Sequence, residues 1–211
     1  MQEILVQTLA HIQLSVLGVI LGVIIGVPLG ILINNRPKLA QIVMNTTEVL
    51  QTIPVLAMLA LLMMILGLGD TTLVVALFLY SLLPIVRNTY TAIKGVDSGI
   101  VQAGLGMGMT RLQLLQQVQL PLAMPVILAG IRVALVTAIG ITTMGTFIGA
   151  GGLGNSIWMG MKNIETEKGV YMILSGAIPA ALLAIIFELG LAKFEDVVTP
   201  RGLKTTTLRR D

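Results

Sequence analysis

The chain has 211 residues, of which 55% are hydrophobic and 11% charged, and its mean hydropathy is +0.95. Soluble domains carry roughly 25% charged residues, so this balance excludes an ordinary soluble domain and points to one integral membrane domain. The absence of cysteine excludes a disulfide framework and thiolate chemistry. The basic pI near 9.5 comes from Lys and Arg scattered between apolar runs, not from a nucleic-acid-binding patch.

The opening "MQEILVQTLAHIQL" carries an acid and no Lys or Arg, unlike the positive n-region of a secretory signal. A helical crossing of about 30 Å of hydrocarbon needs roughly 20 apolar residues. Five stretches qualify, at about 12–33, 49–68, 71–88, 122–148 and 170–191, which predicts an all-α integral membrane protein with five transmembrane helices. On the first, Gly18, Gly22, Gly26 and Gly30 recur at every fourth position and form a stripe that lets another backbone approach closely. His11, near the end of that span, is expected at the membrane interface. The second span contains "QTIP", where Pro54 follows polar Gln51 and Thr52 by one turn. Such a place serves either a water-lined pathway or a packing kink. Pro28, Pro84 and Pro179 also fall within spans. Each removes a backbone donor, and the carbonyl it frees must find protein or water.

Between the third and fourth spans lies a loop, 96–119, that is polar and yet structured. Asp97 or Ser98 caps a first short helix, the glycines at 104, 106 and 108 make an elbow, and Thr110 with Gln113 forms a capping box for a second helix that ends before Pro121. Its apolar residues, among them Ile100, Leu105, Met107 and Leu112, exceed what the loop can cover by itself, so it reads as a docking plug. Arg132 in the fourth span and Glu188 in the fifth are charges in apolar surroundings. They either pair or snorkel separately to the surface. The segment "GAGGLGNSIWMGMKNIETEKG" is a glycine-rich loop that either contributes to an external gate or simply connects. Trp158 and Tyr171 suit an interfacial aromatic belt. The membrane domain is taken as 1–195, and 196–211 as a basic tail that is disordered or near anionic headgroups.

Lys and Arg favour the cytoplasmic side. With the N-terminus outside, Arg36, Lys38, Arg87, Lys94, Arg111, Lys193, Arg201, Lys204, Arg209 and Arg210 are inside and only Lys162 and Lys168 outside. This predicts a multi-pass plasma-membrane protein with a cytoplasmic C-terminus and loop 96–119 facing the cytoplasm. The sequon Asn45-Thr46-Thr47 is then cytoplasmic and is discounted.

Gln102-Ala103-Gly104, Gly108, Val118 and Leu120-Pro121 resemble the cytoplasmic motif of permease subunits of ATP-binding cassette importers: Glu-Ala-Ala, three residues, Gly, nine residues, Ile, one residue, Leu-Pro. The departures are Gln at 102, Gly at 104 and Val at 118. The resemblance implies docking in which Gln102 hydrogen-bonds where the family's Glu forms a salt bridge. "LQTIPVLAMLALL", "LLPIVRNTYTAIKGVD", "AGLGMGMT" and "FIGAGGLGNSI" further resemble permeases of osmoprotectant importers, which carry glycine betaine, carnitine or choline. This implies a type I importer permease (MetI-like) fold and three partners: a cytoplasmic ATPase, a second permease subunit (identical or related) and an extracellular substrate-binding protein.

No Gly-x4-Gly-Lys-[Ser/Thr] occurs, so any ATP hydrolysis belongs to a separate chain. A transport subunit without catalytic residues, metal or other cofactor is expected. With one Trp, three Tyr and four Phe, few aromatics remain for a cation–π cage, which places high-affinity capture on the binding protein. Polar residues within spans give the candidate pathway: Gln51, Thr52, Pro54, Tyr80, Ser81, Thr142 and Thr143. The alternatives are the same machinery carrying methionine or another amino acid, a stand-alone secondary transporter, or a membrane scaffold.

Overall fold

The computed structural model describes residues 2–199. Apolar runs with few breakers become long helices, because a backbone in lipid must satisfy its polar groups internally. Among the described residues these are α1 (Gln2–Ile33), α2 (Pro37–Thr52), α3 (Val55–Leu66), α4 (Asp70–Lys94), α5 (Ser98–Gly106), α6 (Arg111–Leu114), α7 (Leu120–Thr142), α8 (Gly154–Lys162) and α9 (Glu167–Val198). A π-turn (Leu115–Gln119) joins α6 to α7, and a 3-10 turn (Thr143–Ile148) extends α7.

Four stretches are long and apolar enough to cross a membrane, and the bent pair α2–α3 makes a fifth if it is counted as one span. The helix packing decides for five. The glycine stripe of α1 lies against α4 in parallel register: Gly18 faces Leu77, Gly22 faces Ser81, Gly26 faces Ile85 and Gly30 faces Thr89. A Cβ added at Gly30 would lie 2.6 Å from Thr89 Cβ, so only glycine admits this approach. Because α1 and α4 point the same way, the chain must cross back between them, and only α2–α3 can do so. Helix α7 runs antiparallel to α4, with Gly130 against Pro84 and Asn88, and Gly145 against Leu73. The core forms where α1, α4 and α7 meet, around Leu73, Leu77, Ile85, Ala134 and Ile139. Helix α9 is the least covered, with Leu174, Ile178, Leu182, Ile185 and Ile186 exposed to what would be lipid.

Several expectations need correction. The second span, expected as one run over 49–68, is two helices bent by 100° at Ile53–Pro54. A proline disfavours helical geometry in the residue before it, and Ile53 is extended (φ −69°, ψ 125°). The spans at 12–33, 71–88 and 170–191 all overrun their expected ends, since α1 begins at Gln2, α4 continues to Lys94 and α9 spans Glu167–Val198. Residues 196–198 therefore belong to α9 and not to a tail, and 200–211 lie outside the described residues. The second short helix of loop 96–119 does not stop before Pro121. It passes through the π-turn into α7, with Pro121 in the first turn of α7, where a missing N–H matters least. The wider turn gives the proline ring room that an α-turn would deny.

Candidate functional site

At one end of the bundle, α5 and α6 form the elbow. Asp97 Oδ1 accepts from the N–H groups of Gly99 (2.8 Å) and Ile100 (3.1 Å), capping α5. At the other end of α5, Met109 N donates to Gly104 O and Gly108 N to Leu105 O, a Schellman closure with Gly108 left-handed (φ +84°). The Thr110–Gln113 capping box is formed in both directions. Gly104 is buried, and a Cβ there would lie 2.7 Å from Leu114 Cδ1, so an Ala at this motif position would require the Leu114 side chain to shift. Gln102 and Ala103 are exposed, Val118 and Leu120 half-buried, and Pro121 exposed. The elbow presents Met107 (77% exposed) and Leu112 (61%) outward, with Ile100 and Leu105 also exposed. Through the π-turn it is one continuous rod with α7, from Arg111 to Ile148.

A cavity of about 490 Å³ opens on the face made by α2, α3, α4 and α7, lined by Gln51, Tyr80, Arg87, Asn88 and Thr137 among others. Its geometry follows from two prolines. Pro84 has no N–H for the Tyr80 carbonyl one turn earlier, and Gln51 Nε2 takes that carbonyl at 2.8 Å. The Tyr80 hydroxyl in turn donates to Ile53 O at the α2–α3 bend. Asn88 Nδ2 donates to Pro84 O at 2.7 Å. Of the seven candidate pathway residues, the structure brings Gln51 and Tyr80 to this cavity. Thr52 and Pro54 sit exposed at the bend beside it. Ser81 and Thr142 do not reach it: both are buried, Ser81 against Gly22 and Thr142 bonded to Ser15 at 2.8 Å. Thr143 turns its hydroxyl back to Gly140 O. Arg87, Asn88 and Thr137 were missed. The spacing 80, 84, 87, 88 on one helical face, read from Pro84, could have found the first two.

Arg132 bridges α7 to α9. Its guanidinium lies 3.3 Å from Glu188 and 3.4 Å from Glu195, so it holds two carboxylates. Glu195 went unnoticed in the sequence, although its seven-residue spacing from Glu188 puts both on one helical face.

The opposite end of the bundle is tied through backbone groups. His11 is fully buried, not interfacial. Leu153 N donates to its Nδ1 at 3.3 Å, so Nε2 carries the hydrogen and donates to Ile139 O at 3.0 Å. Asp70 Oδ1 accepts from Gly151 N at 2.8 Å, and Gly69 N donates to Ile148 O at 2.8 Å. The expected connecting loop contains helix α8, on which Trp158 is half-buried with its ring edge-on to Phe147 at 4.8 Å.

The bundle of apolar helices thus carries an exposed elbow that is continuous with one of its long helices. The chain belongs to the family described as binding-protein-dependent transport system inner membrane component, which matches residues 18–198. It is 50% identical over 190 residues to the glycine betaine/carnitine/choline transport system permease protein OpuCD of Bacillus subtilis, covering 90% of this chain and 82% of that one. It is 42% identical to the osmoprotectant import permease protein OsmW of Salmonella typhimurium, covering 93% and 92%. Among solved structures, an inward-facing MetNI methionine ABC transporter chain superposes with a TM-score of 0.83 at 22% identity, covering 95% of this chain and 98% of that one. That likeness concerns the fold.

Proposed function

We propose that this chain is the membrane-pathway subunit of an ATP-driven importer for osmoprotectants such as glycine betaine, carnitine or choline. One observation carries the reading: 50% identity across nine-tenths of the chain to a permease named for those three compounds. The methionine alternative rests on fold alone.

In this reading the elbow end is cytoplasmic, as the Lys and Arg distribution supports, and the N-terminus lies outside. Gln102, Ala103, Gly104, Gly108, Val118, Leu120 and Pro121 form or brace the surface that docks a separate ATPase. Closure of the ATPase pushes on α5 and α6, and the continuous rod carries that push into α7. A second permease copy or relative closes the cavity lined by Gln51 and Tyr80 into a pathway. Thr52 and Pro54 shape its bend, while Ser81, Thr142 and Thr143 support it from the packed side. The Arg132 clasp makes α9 follow α7. An extracellular binding protein delivers substrate, and lipid surrounds the exposed face of α9.

The test is co-expression with the cassette ATPase and binding protein, followed by purification and reconstitution. Wild type should retain the ATPase and accumulate labelled glycine betaine or choline when ATP is present. Gly108→Trp should lose the ATPase, because its left-handed backbone cannot take a bulky side chain without strain. Equal retention by both proteins refutes the elbow as the docking surface. ATPase retention without uptake of any quaternary ammonium compound refutes the cargo.

A further inference from the structure

The cavity between α2, α4 and α7 is lined by one member of a charge pair. Arg87 lines it, and Arg87 Nη1 stands 3.7 Å from Glu48 Oε1 on α2. Arg87 lies two turns before the Lys94 end of α4, about 10 Å along the helix, so it stands toward the elbow end of the bundle and on a helix, not in a loop. The pair is loose: 3.7 Å is long, and the side chains are 58% and 46% exposed. Such pairs hold little net energy and exchange partners readily.

The hydrogen-bond inventory of the cavity narrows what it can hold. The amide nitrogens of Gln51 and Asn88 each give one of their two N–H groups to the carbonyls of Tyr80 and Pro84, and the Tyr80 hydroxyl donates to Ile53 O. Their amide oxygens remain as acceptors, and Arg87 remains as the charged donor. A carboxylate entering the cavity would be bound by Arg87, with the planar guanidinium giving two parallel bonds. A quaternary ammonium donates no hydrogen bond and takes a carboxylate or a ring face. Glu48 and the Tyr80 ring supply these. At the other end of the molecule Trp158 is a poorer choice, because the Lys162 ammonium already lies 4.9 Å over its ring.

Resting on the osmoprotectant reading above, we infer that Arg87 and Glu48 form a site that reads zwitterions. The substrate carboxylate replaces Glu48 at Arg87, and its ammonium replaces Arg87 at Glu48. Glycine betaine and carnitine then use both residues, whereas choline, which has no carboxylate, uses Glu48 alone.

The complete importer is reconstituted in proteoliposomes, and uptake of glycine betaine and of choline is measured side by side. The binding protein is the same in every sample, so a changed ratio between variants belongs to the permease. Arg87→Gln should lower glycine betaine uptake about tenfold, the loss of one charge-assisted contact, and leave choline within about twofold. Arg87→Lys should recover part of the betaine uptake. Glu48→Gln should cost choline more than betaine. ATPase co-purification monitors assembly, and if Arg87→Gln fails to assemble, the ratio in Glu48→Gln decides alone. An unchanged ratio, or equal losses for both substrates, overturns the charge pair and leaves the importer reading standing. A wild type that carries neither compound overturns both together.

Discussion

At the end of the bundle that holds His11, the N–H groups of Gly69, Gly151 and Leu153 each have a named acceptor within the chain. At the elbow end, Met107 and Leu112 stand in the open, and the elbow's own hydrogen bonds run between near neighbours. Both ends are rich in glycine, but the glycines do different things. Gly152 packs its backbone against His11, where a Cβ would lie 3.0 Å from Nδ1, while Gly108 has nothing within 4 Å. One end is completed by its own fold, and the other leaves apolar side chains in the open. The local order of the elbow comes from caps and not from burial, which is how a surface can be both exposed and fixed.

This contrast predicts that stability is concentrated at one end. The largest effect is expected for His11→Leu, which leaves Ile139 O and Leu153 N without partners in a buried place. Each costs about 1–3 kcal/mol, so a loss of about 3 kcal/mol should appear as a lower midpoint in thermal unfolding of the purified protein. Gly108→Ala should cost about 1 kcal/mol, from the left-handed backbone alone. In Thr110→Ala the capping box is broken at an exposed site, and about 0.5–1 kcal/mol is expected in the same assay. The smallest change belongs to Met107→Glu with Leu112→Glu. It should leave the midpoint unmoved, since surface substitutions stay within about 0.5 kcal/mol, and yet abolish ATPase co-purification. Should that double variant unfold as readily as His11→Leu, the elbow would be part of the folded core and the contrast would collapse.

Much of the fold was legible because it is written in local periodicity. Four glycines in register at every fourth position favour a helix–helix seam over the general glycine enrichment of membrane helices, and the stripe meets Leu77, Ser81, Ile85 and Thr89 at the same period. The Thr110–Gln113 box and the Asp97 cap are also local and needed no tertiary knowledge. What stayed hidden depends on distant partners. Nothing near His11 announces Ile139 or Leu153, more than a hundred positions away. Polarity within a span marked Gln51 and Tyr80 alongside Ser81 and Thr142. Which of them face the cavity is settled by the register of α1 on α4, and Ser81 belongs to that seam. A proline signals a break, but not the 100° angle that follows from it.

The π-turn at Leu115–Gln119 has a consequence of its own. In an α-helix each residue advances the azimuth by 100°, so the angular phase between the elbow and the membrane face of α7 is set by residue count. The wide turn stores one step of that phase. Deleting a single residue there would let the wide turn close to an ordinary α-turn and leave the elbow near its present phase, whereas the same deletion within α7 would turn Met107 and Leu112 against the membrane face of α7 by about 100°.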